Sequence, residues 1–268
     1  MFQRVLIPTD FSTASEWAFD HAVRIAGVHS AELVILHIRM TRQSRPGELR
    51  FPADPKLYEF AEQHELNKLR EYVRRRHSSV NIRLVVKQAP DPGGEISRTA
   101  LEEKADLIVM ATHARHHVAH LFVGSTTLDV LVDPPAPLML VRYGIPRRDV
   151  MKTFVVPVHM KQADHPALEL AARMAAEAGG DVHLVSVCSD EERGAAEALV
   201  ARLRETELAG VASHSAVIRG ADVDKEIVRY CDRAGADILL LNSRHDMSTV
   251  KIDVIRQVQV PVMIVPGN

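Results

Sequence analysis

The sequence predicts an α/β protein of two doubly wound, open five-stranded parallel-sheet domains in tandem, and three observations carry this prediction. Short β-rich apolar runs alternate with helical patterns along the chain. Runs such as "ELVILHI" and "DLIVMA" are almost continuously apolar, which is typical of parallel strands buried on both faces. The same order of segments also occurs twice. Because parallel crossovers are right-handed and bury a helix against the sheet, helices are expected on both faces.

The elements follow in order along the first half. The segment "STASEWAFDHAVRIAG" predicts a first helix that begins at a Ser12/Thr13 cap and ends at Gly27. Its apolar stripe contains Trp17, Ala18, His21, Ala22 and Ile25. Strands are predicted at 3–9, 31–38, 81–87, 106–111 and 137–142, and further helices at 55–76 and 94–104. In the second half, helices are predicted at 164–178, 190–207, 222–234 and 248–258.

The internal repeat sets the domain organisation. "RVLIPTD" resembles "TFVVPVH", "ADLIVMATHA" resembles "ADILLLNSRH", and "APLMLVR" resembles "VPVMIVP". These pairs are offset by 149, 131 and 124 residues, so the second copy is the first with two deletions. We expect a first domain at 1–143, a linker at 144–151 and a second domain at 152–268.

Composition excludes several classes of protein. The chain of 268 residues is 46% hydrophobic and 25% charged, with a net charge of −2, so neither nucleic acid nor a membrane is an expected partner. The start, "MFQRVLIPTD", predicts a strand rather than a signal peptide, and no apolar run has the roughly 18 residues of a spanning helix. Cys188, expected after a strand, and Cys231, on a helical pattern, are expected to be packed thiols. A cytoplasmic location is expected.

Polar residues that could bind a ligand follow the predicted strands. Ligands of open α/β sheets bind beyond the carboxyl ends of the strands, where the strand order reverses. Thr9 and Asp10 end the first strand, and "GST" (124–126) opens a helix after the fourth. Free N–H groups and the positive dipole end of that helix favour an anion, and Asp10 could accept hydrogen bonds from a ribose or base. The alternative is that Ser125, Thr126 and Asp10 only cap helices.

These motifs resemble those of the ATP-binding universal stress proteins. The resemblance covers nearly all of residues 1–142 and rests on "PTDFS", "LHI", "ATHA…GST" and "PAPLMLVR". The family pattern Gly-x-x-Gly, nine residues, then Gly-Ser or Gly-Thr is matched in spacing. It implies a Rossmann-like fold similar to the adenine nucleotide alpha hydrolases, and an adenine nucleotide (ATP, or AMP or ADP), possibly with Mg. The implied nucleotide-binding residues are Pro8, Thr9, Asp10, Ile38, Met110, Ala111, His113, Ala114, Gly124, Ser125 and Thr126.

The glycine loop departs from this pattern in both halves. Ala111 and Ala114 replace the two early glycines, and an alanine held in left-handed geometry would cost roughly 1–2 kcal/mol. Weaker ATP binding or a preference for AMP or ADP is therefore expected. In the second half, His159 aligns with Asp10, while Asn242 and His245 align with the glycines. This half is expected to have lost the site and to be structural or regulatory.

Four histidines in the loop suggest an alternative ligand. His113, His116, His117 and His120 have the spacing i, i+3, i+4 and i+7, which on a helix would place them on one face and could form a zinc site. The other interpretation is a surface loop, in which His113 matches a histidine common in the family. Neither a nucleophile elbow nor a Walker A lysine is present, so at most slow ATP hydrolysis is expected.

The sequence therefore leaves three functions open: a stress-response regulator that binds an adenine nucleotide, a nucleotide-free interaction module, and a zinc-binding protein. A protein partner is expected but not identified. The resemblance implies pairing through the last strand of each domain. "PLMLVR" and "PVMIVP" are thus expected to pair within one chain as a pseudo-dimer, and a homodimer of chains stays open.

Overall fold

The computed structural model describes residues 1–40, 55–112, 124–145, 151–161, 164–243 and 249–267. Its first half contains strands β1 (Arg4–Thr9), β2 (Glu32–Met40), β3 (Ile82–Ala89), β4 (Leu107–Thr112) and β5 (Leu138–Arg142). The helices of this half are α1 (Thr13–His29), α2 (Pro55–Arg76), α3 (Pro92–Glu102) and α4 (Ser125–Val132). Strand and helix alternate from β1 to β5, as the sequence predicts.

The second half repeats this order. Its strands are β6 (Thr153–Pro157), β7 (Asp181–Cys188), β8 (Ala212–Arg219), β9 (Ile238–Ser243) and β10 (Val262–Pro266). Its helices are α5 (Pro166–Ala178), α6 (Arg193–Thr206), α7 (Val223–Ala234) and α8 (Thr249–Gln257). The two five-stranded units of the sequence prediction are therefore both present.

One ten-stranded sheet joins the two halves, in the order β3-β2-β1-β4-β5-β10-β9-β6-β7-β8. Within each half the strands are parallel. At the centre β5 and β10 pair antiparallel, with Met139 opposite Met263. This is the pairing of the last strands expected from the sequence, and each half covers the edge that the other would expose.

Apolar helix faces cover both sides of this sheet. One core cluster contains Phe19 of α1, Leu66 of α2 and Leu170 of α5. The cluster on the opposite face contains Ile96 of α3 and Val130 of α4. The residues of the inner strands between them are mostly inaccessible to solvent, which explains the continuous apolar runs of those strands, whereas the edge strands β3 and β8 are partly exposed. Among the described helices, none has the length and apolar character needed to cross a membrane.

Three local predictions were wrong in detail. Gly27 lies inside α1, which continues to His29, and Ser30 (φ 53°) occupies the left-handed position after the helix. β2 continues past residue 38 because its pairing with β3 extends to Met40. Cys188 is the last residue of β7 rather than a residue after it. Both thiols are buried as expected, and burial raises the pKa of Cys231 to about 12.

Candidate functional site

The candidate site lies where the strand order of the first half reverses. The chain passes from β1 to β2 and β3 on one side, then returns to β4 and β5 on the other. β1 and β4 are therefore neighbours, with Val5 opposite Leu107 and Leu6 opposite Ile108. Their carboxyl ends, Thr9 and Thr112, lie side by side at one edge of the sheet. Ligands bind at this point in doubly wound sheets.

Hydrogen bonds fix the turn between β1 and α1. The backbone N–H of Ser12 donates to Asp10 Oδ1 at 3.0 Å, and the N–H of Phe11 donates to Thr9 Oγ1 at 3.1 Å. Ser12 in turn caps α1 by accepting from the N–H of Ser15 at 3.2 Å. The cap of α1 is thus Ser12, and the exposed Asp10 is held by the turn at the rim of the site. Phe11 has a φ of 59°, a sparsely populated backbone conformation for a bulky residue.

A buried polar network supports this turn from β2 and α2. His37 Nδ1 donates to the carbonyl oxygen of Thr9 at 2.9 Å, so the ring is protonated on Nδ1. His37 Nε2 lies 3.1 Å from the Tyr58 hydroxyl and 3.5 Å from a carboxylate oxygen of Glu62. Arg39 binds both oxygens of Glu62, at 2.7 and 2.8 Å. The end of β1 is therefore tied through His37 to a bidentate ion pair.

The charge state of Glu62 follows from its contacts. Its side chain is inaccessible to solvent, and the hydrogen bonds from Arg39 lower the pKa of the carboxyl group despite burial. Burial also raises the pKa of Tyr58. This network is absent from the residues predicted from the sequence. The available signal was a glutamate in the buried stripe of α2, four residues before Leu66.

The N-cap residue of α4 brings no side chain to the backbone donors of the helix. Gly124 occupies this position, with φ −60° and ψ 151°, and among the described residues it makes no side-chain cap contact. Ser125 and Thr126 are its first two residues and do not occupy the cap position, which overturns the alternative that they only cap α4. Thr127 Oγ1 donates to the carbonyl oxygen of Ala111 at 3.2 Å. This contact fastens the first turn of α4 to the end of β4.

The backbone at Ala111 is extended rather than left-handed. Ala111 belongs to β4 and lies opposite Val141 in the parallel pairing with β5. The expected strain for an alanine here was therefore wrong, because a strand accepts any side chain without a left-handed φ. Only the volume of the methyl group distinguishes Ala111 from the family glycine. Ala114 lies outside the described residues.

The remaining predicted residues divide into rim and core. Thr9 and Asp10 are at the carboxyl end of β1 or just beyond it, and Pro8 lies in β1 opposite Leu36. Ile38 lies in β2, one residue beyond the one opposite Thr9. The side chain of Met110 is 5% exposed and packs in the core, so only its backbone faces the edge of the sheet. His113, predicted to contact the nucleotide, lies outside the described residues. So do the other three histidines of the candidate zinc site, His116, His117 and His120.

The equivalent edge of the second half is arranged differently. His159 Nδ1 accepts from the N–H of Lys161 at 3.2 Å, the turn contact that Asp10 makes in the first half. The buried Asn242, in place of Ala111, accepts from the N–H of Ala167 in the first turn of α5 at 2.8 Å. An amide side chain therefore occupies the space between β9 and α5. His245 lies outside the described residues.

A separate cavity of about 230 Å³ lies between the two halves, near the amino ends of β1 and β6. Phe2, Ile25, Phe154 and Met174 are among its apolar lining residues. The contact between His29 Nδ1 and a carboxylate oxygen of Glu177, at 3.1 Å, is part of its wall. Its position at the opposite edge of the sheet separates it from the candidate site.

Comparison with protein families identifies the fold group. The model of the universal stress protein family matches residues 1–142 and 151–266. The chain belongs to the universal stress protein family. It is a tandem member with two copies of the family fold, which agrees with the resemblance seen in the sequence.

Individual relatives support this assignment. The universal stress protein MJ0577 of Methanocaldococcus jannaschii is 26% identical over 155 residues, covering 53% of this chain and 96% of the relative. A universal stress protein of Archaeoglobus fulgidus has a solved structure with a TM-score of 0.79 at 19% identity, covering 98% of both chains. Protein PA1789 of Pseudomonas aeruginosa gives a TM-score of 0.68 at 15% identity, covering 99% of this chain and 92% of its own. At such identities the two structures establish the fold alone.

Proposed function

We propose that this tandem universal stress protein is a stress-response regulator that binds an adenine nucleotide in its first half. The observation that carries the proposal is the start of α4, which Thr127 fastens to the end of β4 where the strand order reverses, and whose N-cap residue is a glycine without a capping side chain. The backbone N–H groups and the positive dipole end of this helix start suit the phosphates of a nucleotide.

The rest of the first-half edge suits the other parts of the ligand. Asp10, held at the rim by the N–H of Ser12, would accept from the ribose or base. The backbone at Ile38 would meet the adenine edge, as the family resemblance implies. The extended backbone of Ala111 removes the strain that would have weakened this loop. Mg²⁺ would accompany the phosphates of ATP.

One site per chain is proposed, because the second half differs from the first at the carboxyl end of the strand that corresponds to β4. Asn242 stands where the first half has Ala111, and its amide contacts the start of α5. We propose that this half is a structural or regulatory partner, with an interaction surface for a protein that the sequence does not identify. The sequence contains no Walker A lysine, so regulation rather than turnover is proposed.

Replacing Gly124 with valine tests the site directly. The backbone of Gly124 suits any residue, so the substitution acts through side-chain volume at the phosphate position. We expect Gly124→Val to weaken ATP binding at least about tenfold, equivalent to 1.4 kcal/mol. Equilibrium binding of a labelled ATP would measure it.

Gly194→Val is the matched control. Gly194 is the second residue of α6, and an added Cβ there meets nothing within 4 Å. This variant should bind ATP as the parent does. Equal binding by the parent and Gly124→Val would show that the site is misplaced, and no binding by the parent would favour the nucleotide-free interaction module.

A further inference from the structure

Three potential metal ligands meet at the amino ends of β7 and β8, at the far end of the sheet from the candidate nucleotide site. His183 of β7 lies directly opposite His214 of β8 in the parallel register. Asp181 precedes His183 by two residues and therefore projects from the same face. One ligand atom from each of the three side chains lies within 4.8 Å of the others.

Both imidazoles approach the same carboxylate oxygen. His183 Nε2 lies 2.7 Å from Asp181 Oδ2, and His214 Nε2 lies 3.8 Å from it. The two rings are 4.6 Å apart between centroids. A tetrahedral zinc ion with ligands at about 2.0–2.1 Å separates neighbouring ligand atoms by about 3.3 Å. The two observed separations bracket this value, so small side-chain rotations would complete the geometry.

Outer contacts hold two of the three ligands in place. His183 Nδ1 lies 3.0 Å from the hydroxyl of Tyr230, which α7 supplies. A metal ion would replace the proton that Nε2 donates to Asp181. The ring proton would then lie on Nδ1 and be donated to the Tyr230 oxygen, which leaves Nε2 as a lone-pair donor for the metal. Thr153 Oγ1 donates to the other oxygen of Asp181 at 3.5 Å. Metal-binding histidines commonly have such an acceptor on the second ring nitrogen, where it orients the ring.

The site is open on one side. The side chain of His214 is 65% exposed, whereas those of Asp181 and His183 are 27% and 14% exposed. A partly buried pair with one exposed ligand leaves a route for an ion and room for water as the fourth ligand. A simple ion pair would explain the contact between His183 and Asp181. It would not explain why the imidazole of His214 faces the same oxygen of Asp181.

We propose that Asp181, His183 and His214 bind a divalent transition-metal ion of the zinc class, with water completing the coordination. Two imidazoles and one carboxylate suit zinc and its first-row neighbours, whereas Mg²⁺ and Ca²⁺ prefer sites made of oxygen ligands. The ion would join the edge strand β8 to β7. This site is independent of the proposed nucleotide site and of the loop histidines.

Zinc titration of the metal-free full chain tests the proposal, with competition against a chromophoric chelator as the readout. The parent for this experiment carries glutamine at His113, His116, His117 and His120, so that the loop cannot contribute zinc ligands. We expect one zinc ion per chain. His214→Gln removes a ligand that is mostly exposed. It should lower zinc affinity by at least roughly 10–100-fold, the loss that is typical when a residue that only orients a metal ligand is changed.

Two further variants separate a metal site from a structural contact. Tyr230→Phe keeps all three ligands and should weaken zinc binding by about 10–100-fold. His64→Gln, at an exposed position on α2, should leave it unchanged. Substituted Co²⁺ should give a ligand-field absorption band in the parent that His214→Gln loses. The proposal is overturned if the parent binds no zinc, or if His214→Gln binds zinc and Co²⁺ as the parent does.

Discussion

At the scale of single residues, the support of the candidate site depends on a buried charge. Glu62 holds Arg39 through two hydrogen bonds and lies 3.5 Å from His37, which binds the carbonyl oxygen at the end of β1. A buried carboxylate is stable only when its partners are present. The turn that carries Asp10 therefore rests on an ion pair made by β2 and α2.

Glu62→Gln should reveal this contribution through pH. The lowered pKa of Glu62 means that its ionised form stabilises the fold above its unfolded pKa of about 4.3, and that this stability is lost as pH falls through the lower folded pKa. Near pH 7 the variant should lose about 2 kcal/mol in the free energy of unfolding. The difference should shrink below about pH 4.

Urea unfolding of the parent and the variant would measure this difference in stability. The range from pH 3 to 7 includes the pKa of a free glutamate, roughly 4.3. Glu71→Gln is the control, since the ion pairs that Glu71 makes with Arg74 and Arg75 on the same helix are exposed, and their loss should change stability by no more than about 0.5 kcal/mol. A Glu62→Gln deficit that stays constant with pH would contradict the assignment of an ionised Glu62.

The sequence indicated where residues lie in their elements better than it indicated their contacts. Thr9, Asp10 and Gly124 were placed at the correct ends of their elements, because strand ends and helix starts have clear local signals. The contact between Glu62 and Arg39 is long-range, and no local pattern specifies it. His159 was interpreted as a lost Asp10, yet its ring nitrogen makes the same turn contact, since the turn needs only an acceptor at that position.

At the scale of the elements, helix starts differ in whether a side chain occupies them. α3 begins at Asp91, whose two carboxylate oxygens accept from the N–H groups of Gly93 and Gly94 at 3.1 and 3.2 Å. The N-cap residue of α4 is Gly124, which has no side chain to make such a contact. Two donors of α3 are therefore satisfied by its own cap residue, whereas the cap residue of α4 leaves its donors to another partner, which we propose is a nucleotide phosphate.

Asp91→Ala should destabilise the protein by about 1 kcal/mol, the usual cost of removing a capping side chain. Asp222→Ala is the matched control, because Asp222 holds the same position before α7 and makes no capping hydrogen bond. Its exposed ion pair with Lys225 should contribute no more than about 0.5 kcal/mol. Thermal or urea unfolding would compare them, and equal losses would contradict the capping role of Asp91.

The order of the elements in the first half was predicted correctly, and their ends less well. Alternating apolar runs fix the order of strands and helices, whereas the extension of β2 to Met40 depends on pairing with β3, which is a tertiary contact. The end of α1 was placed at Gly27 because glycine is the common helix terminator. Ser30 adopts the left-handed conformation instead.

At the scale of the whole molecule, the antiparallel pairing of β5 with β10 makes one sheet from two units. Leu138, Met139 and Leu140 are almost completely buried there. The second half therefore stabilises the first by covering its apolar edge, which gives a physical reason to retain this copy whether or not it binds a ligand.

A fragment of residues 1–145 should associate through the exposed edge of β5. The unpaired strand would present its backbone and three buried apolar side chains to solvent, and pairing with a second fragment would cover both. Size-exclusion chromatography with light scattering would give its mass. A folded, monomeric fragment at the concentrations used for the full chain would contradict this role of β10.

The central claim is that one half of the molecule holds an adenine nucleotide and the other does not. Calorimetric titration of the purified, metal-free chain with Mg-ATP, ADP and AMP tests it most directly. We expect one saturable site per chain, and the order of affinities would show how much phosphate the start of α4 accepts. No heat with any of the three, together with no nucleotide released on denaturation, would contradict it.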